Sequence, residues 1–236
     1  MVGMSELQAV FWDMDGTLVD TEPYWIEAEH TLVTAHGGTW SEEKAQHLTG
    51  QALPYSAAVL QGAGVQMSIG EIIDHLVAEV VQRCAQRIPW RPGARDLLEQ
   101  LHRDQVRSAM VTMSFPPLAR AVADALPAGH LEFLVTGDMV AAGKPDPEAY
   151  HLAFDTMAAD HETLTGAPLS RQQCVAIEDS VPGTAAAAAS GLVTVAVPHL
   201  TPLPTSGQWH VLETLVGTGP ADLQQLLVRE PSPAAV

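Results

Sequence analysis

Leu7-Gln8-Ala9-Val10-Phe11-Trp12-Asp13-Met14-Asp15-Gly16-Thr17 opens the chain with an apolar run that stops at two carboxylates and a glycine turn. A short continuous apolar run bounded by turn signals suits a strand buried on both faces. Four more runs of this kind follow, at Arg107 to Val111, Phe133 to Val135, Cys174 to Ile177 and Val193 to Val197. Helical patterns lie between them. Pro92 is expected in the first turn of one, with Ala94, Leu97, Leu98 and Leu101 on a single face. Asp146 and Pro147 start another, with Ala149, Ala153, Phe154 and Met157 turned inward. Strand and helix alternate, which predicts an α/β fold: a doubly wound, Rossmann-like parallel sheet with helices on both sides.

Tyr24 to Arg87 breaks the alternation. Ser68 and Glu71 have capping-box spacing, and Ile69, Ile72, Ile73, Leu76, Val77, Val80 and Val81 recur behind them at helical intervals. This stretch reads as a small all-helical domain, residues 21–90, inserted after the first strand. Residues 1–20 and 91–236 then form a discontinuous α/β core. Thr21–Pro23 and Ile88–Gly93 are the two crossings. They are candidate hinges if the insert is a moving cap, and plain connections if it is a rigid lobe. The small residues Ala185 to Ala189 predict a helix packed closely on the sheet, Pro198 to Pro220 reads as a surface excursion, and Glu230 to Val236 as a frayed tail.

Charge narrows the partners. The chain of 236 residues has 28 acidic and 11 basic side chains, a formal net charge of −17. Nucleic acid calls for a clustered basic surface to neutralise phosphates, and no basic run exists, so neither nucleic acid nor an anionic membrane is expected. No apolar stretch approaches the ~20 residues of a transmembrane helix. Two cysteines far apart, Cys84 and Cys174, make no disulfide framework and are expected to be buried thiols. With no signal-peptide pattern at the N-terminus, the reading is a cytoplasmic protein, monomeric by default. An acidic protein that binds a phosphorylated metabolite needs a divalent cation or a few placed donors to offset repulsion.

Four segments carry the chemistry. Asp13 and Asp15 stand two residues apart just past a buried strand, at the carboxyl edge of the sheet where open α/β folds bind ligands. Gly16 permits the turn that follows. Thr112-Met113-Ser114, after the second strand, offers a hydroxyl and backbone N–H groups for a phosphoryl oxygen, or simply a hydroxyl that satisfies its own turn. Lys144, in Gly143-Lys144-Pro145-Asp146-Pro147, sits before a helix start and suits both a phosphate and a carboxylate. Glu178-Asp179-Ser180 follows a fourth strand, and adjacent acids there suit a hard metal such as Mg²⁺. Taken singly, each segment also reads as a polar loop. Their order along the sheet is what brings them to one edge. So many carboxylates together repel one another unless a cation is present.

This set of four resembles the motifs of the haloacid dehalogenase-like superfamily. Phe11 to Thr17 looks like its first motif, Thr112 like the second, Lys144 in Gly-Lys-Pro-Asp-Pro like the third, and Glu178-Asp179 in Ile-Glu-Asp-Ser-Val-Pro-Gly-Thr like the fourth. The similarity runs from about Ala9 to Val197. The position of the helical insert resembles the type-1 cap of the β-phosphoglucomutase and phosphoglycolate-phosphatase branch. The resemblance implies a central first strand and a Mg²⁺-dependent phosphatase of a small phosphorylated metabolite. In that reading Asp13 is the covalent nucleophile and Asp15 the general acid and base. Thr112, the Met113 backbone and Lys144 bind the phosphoryl group. Mg²⁺ is held by Asp13, the Asp15 carbonyl and Asp179, with Glu178 as ligand or in the shell behind.

Dehalogenation needs no acid for a halide, and that branch lacks the second aspartate, so Asp15 argues against it. Sugar phosphomutases of this branch carry a His in the first cap helix and an Arg that grips the second phosphate. Trp25 and the Leu53-Pro54 region stand in those places here. A phosphomutase and a non-catalytic metal- or phosphate-binding regulator remain as alternative readings. Trp25 and Tyr24 face substrate or form cap core, and the sequence does not choose between these. Nor does it name the substrate, since cap shape sets specificity.

Overall fold

The computed structural model describes residues 6–48, 53–200, 202–204 and 208–229. The chain forms two compact units. One takes the described residues of Met1–Val19 and Trp90–Val236, the other those of Asp20–Pro89. The expected tail, 230–236, lies outside the described residues.

In the first unit the leading strand is β1 (Ala9–Trp12), every residue of it buried. In the second unit come α1 (Glu22–Ala35), α2 (Glu42–Leu48), α3 (Leu53–Gly62) and α4 (Ile69–Gln86). Back in the first unit the order is α5 (Ala94–Arg103), β2 (Arg107–Val111), α6 (Pro116–Ala123), β3 (Leu134–Val135) and α7 (Glu148–Thr165). It closes with β4 (Cys174–Glu178), α8 (Val181–Ala189), β5 (Val193–Ala196), β6 (His210–Val211) and α9 (Pro220–Leu226).

The sheet order is β3-β2-β1-β4-β5-β6, and every pairing is parallel. Chain order reverses direction at β1, which pairs with β2 on one side and β4 on the other. That is the topological switch point, where a crevice opens beyond the strands' carboxyl ends. Alternate residues Ala9, Phe11, Ala109, Val111, Cys174 and Ala176 face one layer of core, with Ala149, Ala153, Phe154 and Met157 of α7 and Ala186 and Ala187 of α8 against them. Small alanines let α8 approach the sheet, as the composition predicts. Each large side chain buried in this layer contributes ~1.5–3 kcal/mol of transfer free energy.

Two expectations change. The helix after Pro92 begins at Ala94, because Gly93 takes a left-handed backbone (φ 81°) as its N-cap. A Cβ on Gly93 would lie 2.2 Å from the Leu215 carbonyl carbon, so only glycine fits there. The 198–220 excursion contributes the edge strand β6, paired with β5 through Val195 and Ala196.

In the second unit, Ser68 and Glu71 form a reciprocal capping box at the start of α4. Ile72, Leu76, Val80 and Cys84 bury one stripe of that helix. Both cysteines are buried and free. Among the described residues no helix is long and apolar enough to cross a membrane.

Candidate active site

β1 delivers Asp13 at its carboxyl end, and the chain turns at once. The N–H groups of Leu18 and Val19 both donate to the Met14 carbonyl, and Gly16 N–H donates to Val19. Gly16 has φ 88°, and a Cβ there would lie 2.1 Å from Asp179 Oδ2. The missing side chain is what lets the Asp179 carboxylate rest on the Asp15–Gly16 backbone. Neighbouring β4 pairs Trp12 with Ile177, so the register carries Glu178 alongside Asp13, and Asp179 follows one residue beyond the strand end.

Asp13 is 7% exposed. One of its oxygens, Oδ1, accepts from Lys144 Nζ at 2.6 Å. The other, Oδ2, is buried with no hydrogen-bond partner. Asp13, Glu178 and Asp179 each offer an oxygen within 4.8 Å of the others. Burial first, and then the Asp13 and Glu178 charges, push the Asp179 carboxyl up from its ordinary range. A buried acceptor without a donor, beside a carboxylate raised by its like-charged neighbours, is the environment a hard divalent cation relieves. The donor set is all oxygen, as Mg²⁺ prefers.

Lys144 uses all three of its protons, on Asp13 Oδ1, on the Val111 carbonyl at 2.9 Å and on Glu178 Oε1 at 2.6 Å. Burial alone would lower its ammonium, but the Asp13 and Glu178 carboxylates together outweigh that and hold it above its ordinary value. Glu178 is fully buried. Its Oε1 also accepts from Tyr150 OH at 2.8 Å, and its Oε2 from Asp179 N–H and Ser180 Oγ, each at 3.3 Å. Burial and Asp13 push the Glu178 carboxyl up, against the pull of Lys144 and Tyr150.

Thr112 follows β2 and is buried; its Oγ1 accepts from Ser114 N–H at 3.0 Å. The hydroxyl therefore does satisfy its own turn, and its proton is still there to donate. Behind this loop a Cβ on Gly137 would lie 2.5 Å from the Met113 carbonyl oxygen, so the backbone is closely backed. Ser114 Oγ donates to Asp15 Oδ2 at 2.5 Å, fixing one oxygen of a carboxylate that is itself only partly buried.

The structure thus gathers Asp13, Asp15, Thr112, Met113, Lys144, Glu178 and Asp179 at the carboxyl edges of β1, β2 and β4 and in the loop before α7. Sequence reasoning passed over two polar groups. Ser114 stands in the segment singled out, yet its bond to Asp15 spans 99 residues. Tyr150 is not among the inward positions read for α7, although it is buried beside them.

Known proteins place this arrangement. A family model described as haloacid dehalogenase-like hydrolase matches residues 7–191. A "Phosphorylated carbohydrates phosphatase" of Thermotoga maritima is 29% identical over 194 residues, covering 79% of this chain and 82% of the relative. "Hexitol phosphatase A" of Escherichia coli is 30% identical over 188 residues, covering 79% and 81%. Among solved structures, CbbY from Rhodobacter sphaeroides in complex with phosphate superposes with a TM-score of 0.76 at 26% identity, covering 92% of this chain and 99% of that one. The match spans the strands and loops that carry all seven residues, and the chain belongs to the haloacid dehalogenase-like hydrolase family.

Proposed function

We propose that this protein is a Mg²⁺-dependent phosphatase of a small phosphorylated sugar or polyol, working through an aspartyl-phosphate on Asp13. The observation that carries the reading is the division of labour on Asp13. One oxygen is held by Lys144 at 2.6 Å while the other is buried and unpartnered. Relatives named for phosphorylated carbohydrates and hexitols support the substrate class.

Asp13 attacks phosphorus, and the bond to the leaving oxygen breaks as Asp15 gives that oxygen its proton. Asp15 then takes a proton from the water that attacks the phosphoenzyme, which releases phosphate and restores Asp13. Ser114 Oγ donates to Asp15 Oδ2 and so orients the carboxyl that moves the proton. Thr112 Oγ and the Met113 backbone hold the phosphoryl oxygens, while Lys144, bonded to Asp13, balances the charge as a fixed ammonium that costs no reorganisation as charge develops. Asp13, the Asp15 carbonyl and Asp179 would hold Mg²⁺, which neutralises the clustered charge and polarises the phosphoryl group. The helical unit, Asp20–Pro89, would be the part that sets which leaving group is accepted.

The test is phosphate release from a panel of phosphorylated sugars and polyols, with and without EDTA. Release that stops with EDTA and returns with Mg²⁺ supports the reading. Release indifferent to EDTA, or none across the panel, defeats it.

A further inference from the structure

The Glu178 carboxylate has about four lone-pair sites, and protein donors fill all four. Lys144 and Tyr150 take Oε1, and Asp179 N–H and Ser180 Oγ take Oε2. The carboxylate also lies flat against the first turn of α8, where a Cβ on Gly183 would be 2.0 Å from Oε2. Glu178 therefore has nothing left to give a cation. Its work is to hold Lys144, whose third proton it accepts.

Tyr150 touches this arrangement twice. Its hydroxyl shares Glu178 Oε1 with Lys144, and Lys144 Nζ stands 5.2 Å from the centre of its ring. The ring is fully buried within the core face of α7. We propose that Tyr150 is a positioning residue: its hydroxyl locks Glu178 in the rotamer that aims the Lys144 ammonium at Asp13, and so keeps Glu178 a strut instead of a metal ligand. Burial and the nearby Glu178 charge hold the phenol proton on Tyr150, so it donates at any working pH. A phenylalanine would fill the same volume and keep the ring under Lys144. It would remove only the hydroxyl.

The proposal rests on the phosphatase reading for its kinetic consequence, but its geometry can be read without turnover. The chain has two lysines, Lys44 and Lys144. Lys44 is exposed, whereas all three Lys144 protons are bonded and its side chain is 6% exposed. With ¹⁵N-lysine labelling, a slowly exchanging ammonium signal should belong to Lys144, assigned by its loss in Lys144→Met. In Mg²⁺ buffer, Tyr150→Phe should shift or broaden that signal. It should also lower kcat roughly tenfold, the scale of one hydrogen bond to a charged group, with substrate KM within about twofold.

The same change in a Glu178→Gln background should move neither readout further, because the path through the carboxylate is already broken. An unmoved ammonium signal in Tyr150→Phe would overturn the proposal. So would an equal effect of Tyr150→Phe in both backgrounds, which would mean the hydroxyl acts elsewhere. A wild-type protein with no phosphatase activity would defeat the functional reading alone, and the ammonium signal would still decide the positioning.

Discussion

Gly183→Ala sets two effects of opposite sign against each other. Gly183 lies in the first turn of α8, its N–H capped by Ser180 Oγ at 3.1 Å. Helix propensity alone says alanine there should stabilise, by up to about 1 kcal/mol. The structure says otherwise. The new Cβ would stand 2.0 Å from Glu178 Oε2 and 2.1 Å from its Cδ, where ordinary contact begins near 3.4 Å. Glu178 must shift by more than 1 Å, and its bonds to Lys144 and Tyr150 break with it. Disrupting a buried ion pair costs about 3–5 kcal/mol. The net is a loss of about 2–4 kcal/mol, which for a chain of this size lowers Tm by roughly 4–16 °C. Gly70→Ala is the control. Gly70 is also in a first helical turn, of α4, and a Cβ there meets nothing within 4 Å, so that variant should be neutral or slightly more stable. Calorimetric melts of both variants, with kcat at saturating Mg²⁺, decide the matter. A Gly183→Ala protein as stable and as active as wild type would refute the claim that Glu178 is pinned where it stands.

Two further outcomes follow from buried or bonded carboxyls. Glu29 on α1 is 5% exposed, and its Oε2 has no partner. Burial, eased by Trp40 and reinforced by the Glu22 charge, raises its carboxyl to about 7 from an ordinary 4.5. A folded-state value above the unfolded one means stability is lost as pH climbs from about 4.5 to 7, by about 3 kcal/mol at most. Tm measured across that window should fall for wild type relative to Glu29→Gln; parallel curves would show that Glu29 is not buried as a neutral acid. Ser114→Ala removes the hydroxyl that donates to Asp15 Oδ2, and kcat should drop about tenfold with Mg²⁺ affinity, measured by calorimetry, unchanged. An unaltered kcat would remove Ser114 from the account.

How far the sequence reaches depends on whether a feature is local. The buried strands were legible because each is a continuous apolar run between turn residues, and a strand covered on both faces needs little else. The four motif segments were legible because a parallel sheet sends the ends of β1, β2 and β4 to one edge whatever their sequence separation. β6 was not: His210 and Val211 make only two residues of edge strand within a stretch rich in proline and glycine, too short a pattern to tell from a loop. The start of α5 was set by the approach of Leu215 to Gly93, a contact across more than a hundred residues. Tyr150 was hidden for a different reason. It adjoins the inward positions of α7 and is buried with them, and only the position of Glu178 turns its hydroxyl into part of the site. Ser114 likewise needed Asp15 in view.

The central claim is a covalent bond between Asp13 and phosphorus. Its most direct test is to stop the enzyme with acid during turnover of a substrate found in the phosphate-release panel, reduce the denatured protein with borohydride, and map the product by mass spectrometry. Borohydride converts an aspartyl-phosphate to homoserine. Homoserine is expected at position 13 and nowhere else, requiring Mg²⁺ and absent from the Asp13→Asn protein. Turnover that leaves position 13 unmodified, or that persists in Asp13→Asn, would contradict it.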